Sequence, residues 1–199
     1  MVGVTLRKAS VRAPSTPPSY VACFTGVFTE AECLRLRDLV DLDRPEPAAT
    51  KAGYAPLVRR STIAWVPESP AWEWTDKRMA TLLADANREQ FAFELLGFEE
   101  RLQVARYEAI RRGAFDWHCD RALSGLAASR KLSITVQLSE KTEYRGGNLE
   151  FFGNGRKWRA PRERGTAIVF ASFLSHRVTP VTHGLRHSLV GWAHGPDFR

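Results

Sequence analysis

Residues 115–120 read Phe-Asp-Trp-His-Cys-Asp, and the interpretation of the whole chain starts from this stretch. If it forms a β-strand, residues two positions apart point to the same face, so His118 and Asp120 can direct an imidazole and a carboxylate at one point. Two histidines and one carboxylate are the usual protein ligands of a ferrous ion that activates oxygen. A His-x-Asp pair alone is weak evidence, because it often arises by chance. The site therefore needs a second histidine on a neighbouring strand.

Four histidines follow this stretch, at positions 176, 183, 187 and 194. We select His176, because it comes shortly after an apolar segment that is predicted to be a strand. Residues 179–184 are interpreted as a turn, so that a hairpin would bring Arg186 near His176. On the second strand of that hairpin, Ser188 shares the face of Arg186, whereas His187 points away. The other histidines are interpreted as surface, turn or structural residues.

Arg186 and Ser188 together suit an oxygenase that uses 2-oxoglutarate. Such an enzyme must pair the far carboxylate of this keto acid, because a buried anion without a partner is costly. A guanidinium suits a carboxylate best, since its fork makes two parallel charge-assisted hydrogen bonds. The Ser188 hydroxyl can donate to a remaining lone pair. The sequence thus predicts an anion site at Arg186, close to a metal site.

From about Leu102 to Arg199 the sequence resembles the prolyl 4-hydroxylase-like branch of the Fe(II)/2-oxoglutarate-dependent dioxygenase superfamily. The resemblance rests on motifs that occur in order along the chain. They are Tyr107 and the segments 113–120, 130–133, 144–149, 165–170, 176–181 and 186–192, which read GAFDWHCD, RKLS, YRGGNL, GTAIVF, HRVTPV and RHSLVGW. Their joint occurrence is highly specific, and a weaker similarity includes the segment from Phe28 to Asp41.

The resemblance implies a fold of the α+β type. This fold is a double-stranded β-helix, or jelly roll, with N-terminal helices packed on the sheet. The implied catalytic residues, which are also the metal ligands, are His118, Asp120 and His176. The implied cofactor-binding residues are Arg186, Ser188 and Tyr107.

The implied cofactors are Fe(II), 2-oxoglutarate as cosubstrate and O₂, with ascorbate as a candidate reductant. The implied reaction hydroxylates an unactivated C–H bond in a prolyl or other residue of a peptide or protein, or in a free amino acid or small biosynthetic intermediate. One alternative is oxidative demethylation of nucleic acid, a partner that we favour less. Two further alternatives are a non-catalytic binding module that retains the fold and a zinc hydrolase with the same ligands.

The chain of 199 residues carries a net charge of +7, with 29 lysines and arginines against 22 aspartates and glutamates. Most basic residues are spread along the chain, which favours an ordinary basic surface. One tight basic cluster motivates the nucleic-acid alternative and consists of Arg156, Lys157, Arg159, Arg162 and Arg164.

No apolar run approaches the roughly 20 residues needed to cross a membrane, and the N-terminus lacks the apolar stretch of a secretory signal. Together with three cysteines and no CxxC pair, this predicts a reduced, cytoplasmic protein without a membrane partner.

We predict one domain over residues 1–199. It comprises a flexible N-terminus at 1–18, a helical support region at 19–100 and a jelly-roll core at 101–199. A capping box at Thr29–Glu32 predicts the start of a first helix, and a second helix is predicted from about Pro70 to Phe91. Predicted strands cover 20–27, 60–66, 93–96, 102–107, 132–138, 149–152, 167–170 and 189–192. The proline-containing segment 42–57 is interpreted as either a lid or an idle surface loop.

Overall fold

The computed structural model describes residues 17–42, 46–48, 58–153 and 155–198. Most of the predicted flexible N-terminus, and most of the predicted lid or loop at 42–57, lie outside the described residues. Within them, no helix is both long enough and apolar enough to cross a lipid bilayer.

Two α-helices precede most of the strands. The first, α1 (Glu30–Asp41), begins where the capping box predicts. The Thr29 hydroxyl accepts from the Glu32 backbone N–H at 3.3 Å, and the Glu32 carboxylate accepts from the Thr29 backbone N–H at 2.8 Å. The second, α2 (Glu73–Ala86), continues as a π-helical turn to Phe91. It starts later than predicted, because the chain forms turns from Pro70 to Trp72.

Strands make up most of the rest of the described chain. Their bounds are β1 Val21–Phe24, β2 Glu46–Pro47, β3 Arg59–Arg60, β4 Thr62–Trp65, β5 Gly97–Phe98, β6 Gln103–Glu108, β7 Ala114–His118, β8 Arg130–Gln137, β9 Tyr144–Gly146, β10 Leu149–Gly153, β11 Arg156–Arg159, β12 Ala167–Ala171, β13 His176–Val178 and β14 Val181–His194. The predicted strand at 93–96 is wrong, because that segment is irregular and only the short β5 follows it. The basic strand β11 was not predicted.

The strands form two antiparallel sheets. The larger sheet has the order β1-β12-β8-β14-β6-β4-β2, and β5 and β9 also pair with β14. The smaller sheet has the order β11-β10-β13-β7-β3. Two antiparallel sheets that share an apolar interior are the arrangement of a jelly roll.

Side chains on the larger sheet alternate between two apolar clusters, as the two-residue period of a strand requires. Val104 on β6 belongs to a cluster that also contains Leu36 of α1 and Met79 of α2. Its neighbour Ala105 belongs to the other cluster, together with Phe151 of the smaller sheet. The second cluster therefore marks the interior between the two sheets.

The predicted hairpin between His176 and Arg186 is wrong as a strand pairing. β13, which carries His176, pairs with β7 and β10 in the smaller sheet. β14, which carries Arg186, pairs with β6 and β8 in the larger sheet. The chain passes from one sheet to the other between Val178 and Val181, so Arg186 approaches His176 from the opposite sheet.

Candidate active site

Two histidines of the smaller sheet face each other across a strand pair. In the pairing of β7 with β13, His118 and His176 are direct partners. Their ring centroids lie 4.1 Å apart, with the ring planes inclined by 54°. The His118 ring also stacks on Phe115, with 3.5 Å between centroids, and the His176 ring contacts Phe151 and Phe170. Aromatic contacts therefore restrict the orientation of both imidazoles.

Asp120 joins the two histidines from just beyond the end of β7. The prediction that a strand runs through residue 120 is wrong, since β7 ends at His118. Even so, Asp120 Oδ1 lies 3.6 Å from His118 Nε2, and Oδ2 lies 3.7 Å from His176 Nε2. Oδ2 also accepts a hydrogen bond of 2.6 Å from Ser133 Oγ, which lies 2.9 Å from Ser172 Oγ. The two serines hold the carboxylate against the larger sheet.

The hydrogen bonds of both histidines leave the same ring nitrogen available. His118 Nδ1 lies 2.7 Å from the Asp116 carbonyl oxygen, and His176 Nδ1 lies 3.0 Å from the Leu174 carbonyl oxygen. A carbonyl oxygen only accepts, so each Nδ1 carries the hydrogen. In a neutral ring the lone pair is then on Nε2, which in both histidines is turned toward Asp120, the usual arrangement of metal-binding histidines.

The electrostatics of the triad favour the protonation states that bind metal. Burial raises the pKa of the Asp120 carboxyl, but the His176 and His118 rings and the Ser133 hydroxyl outweigh it and hold that pKa well below its ordinary value. Burial lowers the pKa of His176 to about 4, assisted by His118 and opposed by Asp120. Near neutral pH this gives an anionic carboxylate beside a neutral His176 imidazole, which are the forms that bind metal.

These three side chains fit a ferrous ion. Their donor atoms all lie within 4.8 Å of one another, and among the described residues no other His, Cys, Asp or Glu joins the group. Two imidazoles and one carboxylate leave coordination positions for other ligands, as oxygen-activating iron requires. The predicted metal ligands His118, Asp120 and His176 are thus brought together.

Arg186 lies on the same cavity and is 1% exposed. Its Nη2 donates to Gln137 Oε1 at 3.0 Å, its Nη1 makes a long contact of 3.4 Å with Ser188 Oγ, and its Nε has no partner. The guanidinium carbon lies 5.3 Å from the centre of the Tyr107 ring. No carboxylate of the described residues forms an ion pair with this arginine. Arg186 is therefore a buried cation with neutral neighbours.

All six predicted site residues line one cavity between the two sheets. The excluded histidines lie elsewhere. His187 is on the opposite face of β14, with Nε2 3.0 Å from Asp41 Oδ1 and Nδ1 3.1 Å from Ser139 Oγ. His194 Nδ1 lies 2.8 Å from Ser129 Oγ, and His183 is exposed.

Sequence reasoning missed Arg59, which lines the same cavity and is 9% exposed. Arg59 is the first residue of β3, and its guanidinium reaches Gln103 on β6. Ser61 lies between β3 and β4, and β6 carries Arg106 and Glu108 besides Gln103, so no sequence pattern marks this position. The alternation of the short β3 could not show which of Arg59 and Arg60 faces inward.

Comparison with known proteins identifies the segment that carries this site. Residues 102–194 match the family model described as the 2OG-Fe(II) oxygenase superfamily. The chain is 39% identical over 93 residues to a PKHD-type hydroxylase of Maricaulis maris, which covers 46% of this chain and 41% of that protein. It is 34% identical over 82 residues to a PKHD-type hydroxylase of a Synechococcus strain, which covers 41% of this chain and 37% of that protein. The matches thus span about two fifths of the length of these relatives.

Solved structures extend the likeness to most of the chain. A prolyl-4-hydroxylase of Pseudomonas putida matches with a TM-score of 0.72 at 21% identity, covering 89% of this chain and 94% of that chain. A prolyl hydroxylase of Trichoplax adhaerens, in complex with a hypoxia inducible factor peptide fragment, matches with a TM-score of 0.75 at 15% identity, covering 88% and 84%. At these identities the likeness shows the fold, and it confirms the predicted jelly roll as a mostly β structure. The resemblance predicted from the sequence is confirmed, because residues 102–194 match the model of the 2OG-Fe(II) oxygenase superfamily.

Proposed function

We propose that this protein is an Fe(II)- and 2-oxoglutarate-dependent dioxygenase that hydroxylates an unactivated C–H bond. The observation that carries the proposal is a single cavity with two complementary features. One is the His118, Asp120 and His176 group, whose donor atoms lie within 4.8 Å of one another. The other is Arg186, a buried guanidinium without a carboxylate partner among the described residues. The first suits iron, and the second suits a dicarboxylic cosubstrate.

Each residue of the site has a role that follows from its surroundings. Arg186 binds the far carboxylate of 2-oxoglutarate, because a buried cation gains most from a charge-assisted partner. Ser188 donates to the same carboxylate, and Tyr107, stacked near the guanidinium, borders the cosubstrate. Ser133 orients Asp120 for the metal. The iron, when bound, would supply the oxygen chemistry, and O₂ and 2-oxoglutarate would be the cosubstrates that are consumed.

The substrate class that we propose is a prolyl or other residue of a peptide or protein, or a free amino acid or small biosynthetic intermediate. The Trichoplax adhaerens neighbour is in complex with a peptide, which supports a peptide or protein. A second cavity of about 560 Å³ shares His118 and Asp120 with the site and includes Trp65 and Trp192 in its wall. This cavity offers space for a substrate next to the metal ligands.

We also propose that α1 and α2 form a supporting layer on the jelly roll within one domain. Leu36 and Met79 belong to the same buried cluster as Val104 and Ile134 of the larger sheet, which supports this role. The face of the sheet that carries Arg186 and Ser188 is then backed by a packed layer, and such backing keeps site residues in place.

Oxidative demethylation of nucleic acid is the alternative function. In the structure, however, several side chains of the basic cluster at 156–164 already contact other groups of the protein. Arg159 pairs with Glu150 at 2.8 Å, Arg164 pairs with Glu30 at 2.8 Å, and Arg162 donates to the Tyr144 carbonyl oxygen at 2.9 Å. These contacts occupy three of the basic side chains that phosphate binding would need.

The experiment that tests the proposed function is the succinate yield of purified protein with Fe(II), 2-oxoglutarate and O₂. The panel contains prolyl peptides, free amino acids and methylated oligonucleotides, and His118→Ala serves as the inactive control. We expect succinate formation that needs both Fe(II) and 2-oxoglutarate and rises with one class of substrate. Failure to bind 2-oxoglutarate in the presence of iron would contradict the proposal.

A further inference from the structure

A second arginine at the candidate site, Arg59, is buried among neutral groups. Its Nε donates to Ser61 Oγ at 2.9 Å, and its Nη2 donates to Gln103 Oε1 at 2.9 Å. Its guanidinium carbon lies 4.8 Å from the centre of the Phe115 ring. Among the described residues no carboxylate forms an ion pair with Arg59. Arg59 is 9% exposed, and a buried guanidinium without a counterion is costly.

Arg59 lies at the other end of the site from Arg186. Its partner Gln103 and the Arg186 neighbour Tyr107 are four positions apart on β6, so they share one face and lie roughly 13 Å from each other. Both arginines line the cavity of the metal group. A cosubstrate carboxylate held at Arg186 therefore leaves the Arg59 guanidinium unpaired.

The balance of charges in the proposed complex also leaves Arg59 without a counterion. The imidazoles bind metal in their neutral forms. The charges of Fe(II) and Arg186 are then balanced by the Asp120 carboxylate and the two carboxylates of 2-oxoglutarate. The positive charge of Arg59 is left without a counterpart inside the cavity.

The other charged groups of the wider cavity already have partners. Arg130 lines it too, but its Nε donates to Glu100 Oε1 at 2.6 Å. Glu46, at the rim, accepts from the Trp65 indole at 3.0 Å and forms no ion pair with Arg59. Arg59 is therefore the cation of this cavity, within the described chain, that is available to an incoming anion.

We propose that Arg59 binds a carboxylate of the primary substrate, so that the enzyme selects substrates with a carboxylate close to the reacting C–H bond. The inference rests on the proposed function and specifies its substrate class. The carboxylate belongs either to the main chain of a free amino acid or to an acidic side chain of a peptide. Both sources offer the same chemistry to the guanidinium fork.

The test measures binding without turnover. Protein is loaded anaerobically with Fe(II) and saturating 2-oxoglutarate, and its midpoint of thermal unfolding is followed as a probe is added. Each probe is a carboxylate with its matched amide. The pairs are acetate and acetamide, N-acetyl-L-proline and its amide, and the blocked dipeptides Pro-Asp and Pro-Asn. The second and third pairs distinguish a main-chain from a side-chain carboxylate.

We expect at least one carboxylate to bind about tenfold or more tightly than its amide. Arg59→Gln should abolish this preference and Arg59→Lys should retain part of it, whereas Arg60→Gln, the matched control at the next position, should keep it. Equal binding of acid and amide by the wild-type protein in all three pairs would overturn the inference without any variant. So would an Arg59→Gln protein that keeps the preference. In each case normal binding of 2-oxoglutarate shows that the proposed function still stands.

Discussion

His118 and His176 are direct partners in the pairing of β7 with β13, and this pairing places their rings 4.1 Å apart. The strand register thus fixes the relation of two proposed metal ligands before any metal binds. The third proposed ligand, Asp120, depends instead on the turn after β7 and on the Ser133 hydroxyl, which donates to it at 2.6 Å. The triad combines a rigid pair with a separately oriented carboxylate, and the first two predictions test these two parts.

Replacing His118, Asp120 or His176 with alanine should weaken Fe(II) binding by more than the roughly 10- to 100-fold typical of losing an outer partner. Each substitution leaves two protein ligands, too few to hold Fe(II) well against water. The measurement is an anaerobic Fe(II) titration, with far-ultraviolet circular dichroism to show that the fold is kept. His183→Ala, which removes an exposed histidine, is the matched control. Wild-type iron affinity in any of the three variants would remove that residue from the ligand set.

Ser133→Ala should weaken Fe(II) binding by about 10- to 100-fold, because the hydroxyl that orients Asp120 is lost. The substitution should change the affinity for Fe(II) and leave the affinity for 2-oxoglutarate unchanged. At iron concentrations that saturate the variant, the 2-oxoglutarate requirement should match that of the wild type. A variant with unchanged iron affinity would show that the turn after β7 alone positions the carboxylate.

The site was predictable from sequence where local patterns suffice. The two-residue period of a strand placed Arg186 and Ser188 on the site face and His187 on the other, and the structure has them so. The same period cannot choose strand partners, because pairing is decided by contacts between distant segments. The hairpin expected between His176 and Arg186 was therefore wrong. Arg59 could not be predicted as a site residue, because β3 has only two residues and is too short to show which side chains alternate inward.

His187 should make stability depend on pH in a definite window. Burial lowers its pKa below the ordinary value near 6.5, although Asp41 opposes the shift. At pH values between the pKa of His187 in the folded state and its pKa in the unfolded state, the unfolded chain binds more protons. The contribution of His187 to stability is therefore full above about pH 6.5 and is lost as the pH falls. The free energy of unfolding of wild type and His187→Gln should therefore converge between pH 7.5 and pH 5.5. A difference that stays constant over this range would show that His187 contributes only its hydrogen bonds.

Neutralising Arg156 and Lys157 tests the nucleic-acid alternative. Both side chains are exposed on β11, whereas Arg159 and Arg164 are paired with carboxylates. We expect weak binding of single-stranded oligonucleotide by wild type, with little change in the double Gln variant. Binding that is tight at low salt, falls steeply with added salt and is lost in the variant would favour the demethylase.

The most direct test of the account is a 2-oxoglutarate titration of Fe(II)-loaded protein, followed by succinate release, for wild type and Arg186→Ala. Truncating one partner of a buried charge pair costs roughly 2–5 kcal/mol, so Arg186→Ala should raise the 2-oxoglutarate requirement at least ~30-fold. Its iron affinity should change little. Arg186→Lys should be milder, because charge remains without the bidentate fork, and Ser188→Ala milder still, near ~1 kcal/mol. An Arg186→Ala protein that titrates like the wild type would contradict the account, because the buried guanidinium would then not bind the cosubstrate.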